Sequence, residues 1–427
     1  MEANVKITSL AFGSRGIGRI DGKVVFVPFA APGDEVKVEV TSEKKGFSEG
    51  VIKELLTPSP IRKPPECVYF GVCGGCSLQH IGYNHQVEWK QRIFEESLRR
   101  IGGVGFAGFD SPVPSPKEFN YRSRAGFHVE GRRWGFFEAR SHRVVEIEEC
   151  PLLDQVINSV YKTIRERFSG EDLRPLYSVE IGVSALEKKA AAAFYVSEDT
   201  GLPWKELLTG AGLKGFEVRL SPSKKGKGKR IIAEDDSRLS YGAGGCNIVA
   251  PVSVFSQTNP LQNGNLLDKV LEYAGLTGKE DVLDLFCGAG NLTLPLAKKA
   301  GQVLGIEADK EAVKAAKNNA LFNNAENADF ICEDSFGWLN RSFKALERRT
   351  PDVVVLDPPR GGEPQAAKAL SGLRPKRIIY VSCNPPTLAR DISLLSGCGY
   401  RVYRAALIDM FPQTFHIEGV LGLELAG

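Results

Sequence analysis

The feature that most limits the fold is a strand, a glycine-rich turn and the start of a helix in residues 281–293, which read DVLDLFCGAGNLT. From about residue 251 onward, apolar strand-like runs alternate with helical patterns, which is typical of a parallel sheet flanked by helices. Glu307 follows Gly288 by nineteen residues, at the end of the next apolar run. An acidic side chain at that distance commonly binds the two hydroxyl groups of a ribose, so a cofactor-binding sheet domain is predicted.

The turn also favours one class of cofactor. NAD, FAD and S-adenosylmethionine proteins all use such a turn, but Thr293 stands where NAD-binding proteins require their third glycine. A site that need not hold a pyrophosphate favours S-adenosylmethionine. Two later strand-like runs end in Asp334 and Asp357. We expect Asp334 to accept a hydrogen bond from the adenine amino group and Asp357 to reach the cleft beside the methyl group.

A third run, residues 378–382, ends at Cys383, and the two prolines after Asn384 predict the start of a helix. Cys383 is therefore expected at the carboxyl end of a buried strand and close to a helix N-terminus. Sheets of this class bind ligands there, and a thiol pKa tends to be lowered there. A buried, unreactive cysteine is the alternative.

Four further cysteines have the spacing of a metal site. Cys67, Cys73 and Cys76 are close together, and Cys150 follows far downstream. Plant-type iron–sulfur proteins hold a cluster with three grouped thiolates and a distant fourth, although the first gap here is one residue longer. Zinc is the competing metal, but structural zinc more often uses two CxxC pairs. Unmetallated thiols are a third interpretation. The chain has nine cysteines, an odd number, and four of them have metal-site spacing, which argues against a set of structural disulfides. This cysteine usage fits a protein of the reducing cytoplasm.

The remaining sequence indicates RNA rather than a membrane. Residues 1–56 contain short strands separated by glycine and Pro-Gly turns, a pattern of small barrels. Residues 117–143 interleave aromatic side chains with seven basic and three acidic ones, which predicts an RNA-binding track unless the aromatics fill a core. The basic run 224–230 fits an RNA contact and a solvated hairpin tip equally well. The net charge of +3 restricts nucleic-acid binding to such patches. No apolar run approaches the roughly 18 residues of a membrane span, and residues 1–10 lack a signal-peptide pattern.

Three motifs resemble the signatures of the uracil-5 RNA methyltransferases. They are DPPRGG in residues 357–362, IIYVSCN in 378–384 and IDMFPQTFHIE in 408–418. The N-terminal pattern resembles a TRAM domain, and with the four cysteines the chain is most similar to the 23S rRNA branch of the family. The resemblance implies an α/β protein in three parts. These are a TRAM-like OB barrel that binds RNA (1–56), a central α+β domain with an iron–sulfur cluster and an RNA-binding surface (57–250), and a Rossmann-like S-adenosylmethionine-dependent methyltransferase domain (251–427).

The resemblance also implies a role for individual residues. Cys383 would be the nucleophile and Glu418 the general base. Six residues would bind S-adenosylmethionine: Gln257, Phe286, Asn291, Glu307, Asp334 and Asp357. Cys67, Cys73, Cys76 and Cys150 would hold a 4Fe-4S cluster. The implied reaction is methylation of carbon 5 of a specific uridine, with 23S rRNA as the favoured substrate and the T-loop uridine of tRNA as the alternative. No obligate protein partner is indicated.

The chemistry explains why these residue types are needed. Carbon 5 of uracil is a weak nucleophile, and a thiolate that adds to carbon 6 activates it. A base must then remove the carbon-5 proton, and the nucleotide must leave its stack to reach the site. DNA cytosine-5 methyltransferases use related chemistry, but their nucleophile follows a proline, whereas Ser382 precedes Cys383 here. A non-catalytic RNA-binding protein is the other rival, and the presence of both catalytic residues disfavours it.

Overall fold

A computed structural model describes residues 1–105, 108–224, 226–348 and 350–426. The N-terminal part is a six-stranded sheet in the order β1-β5-β6-β4-β3-β2. The sheet curls so far that a Cβ added to Gly18 would lie 2.2 Å from a Val5 methyl, so this position on β3 requires glycine. The strands are β1 (Glu2–Lys6), β2 (Ser9–Ala11), β3 (Arg15–Ile20), β4 (Lys23–Pro28), β5 (Glu35–Glu43) and β6 (Phe47–Thr57). Alternate apolar residues fill the interior of the curled sheet.

The central part is built around a seven-stranded sheet in the order β13-β12-β11-β10-β7-β8-β9. Its strands are β7 (Arg124–Glu130), β8 (Arg133–Phe137), β9 (Val144–Glu146), β10 (Leu176–Val183), β11 (Ala190–Val196), β12 (Leu213–Leu220) and β13 (Lys229–Asp235). Its helices are α1 (Tyr83–Arg100), α2 (Gln155–Arg167) and α3 (Trp204–Leu208), and a hairpin follows, with β14 (Arg238–Ala243) and β15 (Cys246–Pro251). Every residue of β11 is buried, because α2 and α3 contribute to the core on one face of the sheet and the hairpin packs on the other.

The C-terminal part contains the predicted parallel sheet, in the order β18-β17-β16-β19-β20-β22-β21. The first five strands of that order are parallel, and β22 runs antiparallel to both of its neighbours, β20 and β21. The strands are β16 (Asp281–Leu285), β17 (Gln302–Glu307), β18 (Ala328–Cys332), β19 (Val353–Leu356), β20 (Arg377–Ser382), β21 (Tyr400–Ile408) and β22 (Glu418–Leu425). The helices are α4 (Pro260–Ala274), α5 (Thr293–Ala297), α6 (Lys310–Phe322), α7 (Ser335–Arg348), α8 (Pro364–Leu373) and α9 (Pro385–Ser396).

Local sequence explains where the helices of this part begin and end. The Asn259 side chain accepts a hydrogen bond from the Gln262 N–H at 3.2 Å, and Pro260 occupies the first turn of α4. Gly275 ends α4 in a left-handed conformation. Pro385 opens α9 directly after Asn384, as the double proline predicts.

The central and C-terminal parts are joined by more than their linker. Helix α1 packs on α9 and β21, and Phe94 and Leu98 of α1 belong to the same core cluster as Tyr380 of β20. The chain after α1 then runs beside β21, where the Asp110 N–H donates to the Ala405 carbonyl at 2.8 Å. Helix α1 and the segment after it, which precede the C-terminal part in the sequence, therefore pack against that part.

Candidate active site

Four predicted site residues lie at one edge of the C-terminal sheet. Phe286, Glu307, Asp357 and Cys383 come at or directly after the carboxyl ends of β16, β17, β19 and β20. These strands are parallel neighbours, so their carboxyl ends meet. Ligands bind at this edge in open α/β sheets. Residues separated by nearly one hundred positions in the sequence therefore share one cleft.

The glycine turn is shaped for a ligand that approaches the main chain. Phe286 has a φ of +65°, which is uncommon for a residue with a side chain, and its N–H donates to the Ser335 hydroxyl at 3.2 Å. The Glu307 carboxylate accepts hydrogen bonds from the N–H groups of Gly288 at 3.1 Å and of Asp309 at 2.8 Å. The carboxylate is thereby held against the turn, where a ribose would lie.

Amide side chains form the next part of the cleft. Asn291 and Asn263 exchange two hydrogen bonds, at 2.9 and 3.0 Å. The Gln257 amide donates to the Asp357 carboxylate at 3.4 Å.

Asp334 precedes α7, and one of its carboxylate oxygens accepts the Gly337 N–H at 2.8 Å. Asp334 thus caps a helix and retains one oxygen for a ligand.

Cys383 and Glu418 face each other across two antiparallel strands. Ser382 of β20 pairs with Gly419 of β22, so Cys383 and Glu418 form the next position of the ladder. Glu418 is only 4% exposed. Burial raises the pKa of Glu418 well above its ordinary value, and neighbouring Asp357 raises it further. The site therefore joins a thiol to a carboxyl group that holds its proton strongly.

The expected low thiol pKa is wrong for this structure. Burial, followed by the carboxyl groups of Glu418 and Asp357, raises the pKa of Cys383 to about 12. Arg360 acts in the opposite direction. The helix N-terminus is outweighed because a buried thiolate beside two carboxyl groups is costly. Arg360 is the nearby cation that stabilises the thiolate.

Arg360 is linked to an aromatic rim. One of its guanidinium nitrogens lies 3.3 Å from Nε2 of His416, which accepts because arginine can only donate. Burial, followed by the positive charge of Arg360, lowers the pKa of His416 to about 3, so the ring is neutral. The His416 ring packs against Phe415, whose ring meets Phe12 of the N-terminal sheet at a centroid distance of 5.7 Å. The N-terminal sheet thus reaches the edge of the site.

Sequence reasoning missed three residues of this cleft. Asp284 is fully buried, its pKa is raised to about 7 by burial, and only one of its oxygens is paired, with the Thr293 hydroxyl at 2.6 Å. Asn263 is the partner of Asn291. Asn384 donates to the Arg360 carbonyl at 3.1 Å, and its buried side-chain oxygen has no partner. An acidic residue inside the apolar run 281–285 was the available signal for Asp284.

Comparison with known proteins identifies the family. Residues 82–425 match the family described as tRNA (uracil-5-)-methyltransferase, and residues 2–53 match the TRAM domain. The chain belongs to the tRNA (uracil-5-)-methyltransferase family. The predicted activity class, the fold class with its S-adenosylmethionine-dependent methyltransferase domain, and the TRAM domain are thereby confirmed.

Individual relatives cover nearly the whole chain. The 23S rRNA (uracil(1939)-C(5))-methyltransferase RlmD of Methylococcus capsulatus is 35% identical, over 98% of this chain and 96% of the relative. An uncharacterised RNA methyltransferase of Aquifex aeolicus is 36% identical, with 98% and 97% covered. The crystal structure of Pyrococcus abyssi tRNA (uracil-54, C5)-methyltransferase in complex with S-adenosyl-L-homocysteine has a TM-score of 0.78 and 28% identity, with 98% and 99% covered.

In this family member the four predicted metal-binding cysteines line one cavity. Burial raises the pKa of Cys76 to about 12 and of Cys150 to about 11. The main chain nearby counteracts this cost, for example at Cys67, where the N–H groups of Tyr69 and Phe70 favour the thiolate. Within the described ranges, no three His, Cys, Asp or Glu side chains are grouped as ligands of one metal ion. The structure therefore gathers the thiols but does not show a metal centre.

The predicted RNA track of the methyltransferase is divided between the interior and the surface, and five of its seven basic side chains are exposed. Tyr121, Arg124 and Trp134 are buried, because inward positions of β7 and β8 and the approach to β7 fill the core. Arg132 and Arg133 at the hairpin tip remain exposed. The aromatic residues thus follow the alternative that the sequence left open.

The second basic run is partly committed to ion pairs. Lys227 contacts Asp309, and Arg230 lies 3.5 Å from Glu217. Lys225 lies outside the described residues. Among the described residues, none of the helices combines the length and apolarity needed to cross a bilayer.

Proposed function

We propose that this chain methylates carbon 5 of one specific uridine in RNA, with S-adenosylmethionine as the donor and 23S rRNA as the substrate. The observation that carries the proposal is the buried group of Cys383, Glu418 and Asp357 beside a glycine turn. The rRNA substrate is supported by the relative from Methylococcus capsulatus. The T-loop uridine of tRNA is the second candidate, supported by the family description and the Pyrococcus abyssi structure.

The donor site fits the residues present. Glu307 would accept hydrogen bonds from the ribose, and Asp334 from the adenine amino group. Phe286 and Asn291 would line the turn, and Gln257 and Asp357 would face the reacting end. The unpaired, buried oxygen of Asp284 supports this assignment, because a buried acceptor without a partner indicates an absent polar ligand. When bound, the donor supplies an electrophilic methyl group.

The residues of the chain would handle bonds and protons as follows. The Cys383 thiol releases its proton to solvent, and the thiolate, stabilised by Arg360, forms a bond to carbon 6 of the flipped-out uracil. The displaced electron pair makes carbon 5 nucleophilic, and carbon 5 takes the methyl group as the bond between that group and the donor sulfur breaks. Glu418 then removes the carbon-5 proton, the carbon–carbon double bond forms again, and the bond to Cys383 breaks. Glu418 does this in its ionised form, and its raised pKa makes that carboxylate a stronger base.

A 4Fe-4S cluster held by Cys67, Cys73, Cys76 and Cys150 remains a proposal, with zinc as the alternative. It is supported by the shared cavity and by Arg122, whose buried Nε has no partner and whose charge favours the thiolates of Cys76 and Cys150. An unpaired buried donor beside four sulfurs fits an anionic sulfur cluster. The cluster would stabilise the loops that carry its ligands. The RNA substrate also implies that the protein acts in the cytoplasm.

Two experiments test the reaction and its substrate. Glu418→Gln should let a methylated RNA–protein adduct accumulate, because Cys383 cannot leave until the proton is removed. Loss of activity without an adduct would argue for a different base. Mapping of 5-methyluridine by mass spectrometry in rRNA and tRNA, from cells with and without the gene, separates the two substrates. A site lost only from tRNA would overturn the rRNA assignment.

A further inference from the structure

The chain segment that leads into Glu418 is held by donors from the central part. The Phe411 carbonyl accepts from the Lys90 ammonium at 2.9 Å, and the Pro412 carbonyl accepts from the Tyr121 hydroxyl at 3.0 Å. Lys90 is fully buried and also pairs with Asp409 at 2.7 Å. Two consecutive carbonyls, a few residues before the proposed base, are thus fixed by residues 321 and 291 positions earlier.

The third carbonyl belongs to Gln413, which is strained. Its φ is +69°, a left-handed conformation that costs about 1 kcal/mol or more for a residue with a side chain. The Gln413 carbonyl accepts from the N–H groups of Ser77 and Leu78, both at 3.0 Å, directly after Cys76 of the cysteine pocket. Gln413 is fully buried, so this conformation is imposed by its surroundings.

A reciprocal amide clasp fixes the same residue. The Gln86 side-chain oxygen accepts the Gln413 N–H at 3.0 Å, and the Gln86 amide nitrogen donates to the Gln413 side-chain oxygen at 2.9 Å. The same nitrogen is 2.8 Å from the Ile81 carbonyl. Both glutamines are fully buried. A strained turn held by so many partners is typical of a site where geometry serves function.

We propose that Gln413 is a positioning residue, and that the clasp with Gln86 sets the path of the chain from the cysteine-rich loop to Glu418. The clasp acts on the proton-removal step, because β22 begins at Glu418, five residues after the strained turn. Cys383 is carried by β20 and α9 and not by the segment that the clasp fixes. The proposal rests on the role of Glu418 proposed above.

The test compares Gln413→Ala, Gln86→Ala and the double variant. We expect kcat to fall about 10- to 100-fold in each, since small displacements of a reacting group have such effects. The KM for S-adenosylmethionine should change less than about twofold, and methylated adduct should accumulate on uridine RNA. Gln86→Ala removes both hydrogen bonds of the clasp, whereas Gln413→Ala removes one and keeps the main-chain N–H. The double variant should therefore lose no more than Gln86→Ala alone. Asn327→Ala, which removes a side chain that holds three main-chain carbonyls elsewhere, is the matched control and should not accumulate adduct.

A second readout separates positioning from damage to the fold. RNA with 5-fluorouridine cannot lose its carbon-5 substituent to a base, so capture by Cys383 with the donor does not require Glu418. We expect Gln413→Ala to form this adduct within about threefold of the wild-type rate. An equal loss of capture and turnover, or additive losses in the double variant, would overturn the proposal. If Glu418→Gln itself shows no adduct, the assignment of the base fails instead.

Discussion

Asp284 offers a quantitative test of the electrostatics of the donor site. Burial, followed by the charges of Asp357 and Glu307, raises its pKa from 3.8 to about 7. A carboxyl group whose pKa rises on folding binds its proton more tightly in the folded chain. Between pH 3.8 and 7 the unfolded chain releases this proton and the folded chain retains it, so the contribution of Asp284 to stability falls as pH rises.

The size of the effect follows from the shift. About three pH units at roughly 1.4 kcal/mol each give a loss of about 4 kcal/mol by pH 7. About 3 kcal/mol of this falls between pH 5 and pH 8. The amide side chain introduced by Asp284→Asn has no proton to release and can still accept from the Thr293 hydroxyl. The gain in stability of Asp284→Asn over the wild type should therefore grow by about 3 kcal/mol over this range.

Pulse proteolysis in urea, on donor-free protein at pH 5 and pH 8, measures the free energy of unfolding in both proteins. Asp329→Asn, at an exposed position of β18, controls for the loss of one carboxyl group. A gain for Asp284→Asn that is the same at both pH values would refute the reasoning, because the buried carboxyl would then not titrate as its surroundings require.

Three further perturbations address other parts of the molecule. Arg360→Met should raise the Cys383 pKa and slow alkylation of Cys383 by iodoacetamide at pH 7.5 several-fold, as measured on the Cys383 peptide by mass spectrometry. An equal slowing in Arg390→Met would contradict a specific role of Arg360 in stabilising the thiolate. Cys73→Ser should abolish the visible absorbance of an iron–sulfur cluster, whereas Cys246→Ser, at a buried cysteine outside the pocket, should retain that absorbance. A colourless wild-type protein with one zinc ion per chain would rule the cluster out. Lys90→Met should destabilise the protein by about 3–5 kcal/mol in urea denaturation, because Asp409 stays buried and loses its cation. Adding Asp409→Asn should recover part of this loss. An undiminished loss in the double variant would contradict the role of the buried ion pair.

Features with a local sequence pattern were predictable. The turn at 281–293, Glu307 at the end of the next strand, and Cys383 between a strand and a proline-started helix each depend on neighbouring residues. The parallel arrangement of β16, β17 and β19 then brings these strand ends together, because such strands present the same edge.

Features that depend on distant residues were not predictable. The high pKa of Cys383 comes from burial and from Glu418 and Asp357, which only the sheet order places beside it. Tyr121 and Trp134 look like RNA-stacking residues in sequence, yet both are buried. Strand alternation in β8 turns Trp134 inward, and the Tyr121 hydroxyl donates to the distant Pro412 carbonyl. The support of Gln413 by Ser77 and Leu78 has no sequence signal at all, because more than three hundred residues separate the partners.

Covalent capture by Cys383 is the most direct test of the account. An RNA fragment with 5-fluorouridine at the mapped position, incubated with S-adenosylmethionine and the protein, should yield a complex that survives denaturing electrophoresis. Mass spectrometry should locate the bond at Cys383, and Cys383→Ala should bind the donor without forming the complex. Capture at another residue, or undiminished uridine methylation by Cys383→Ala, would contradict the central claim.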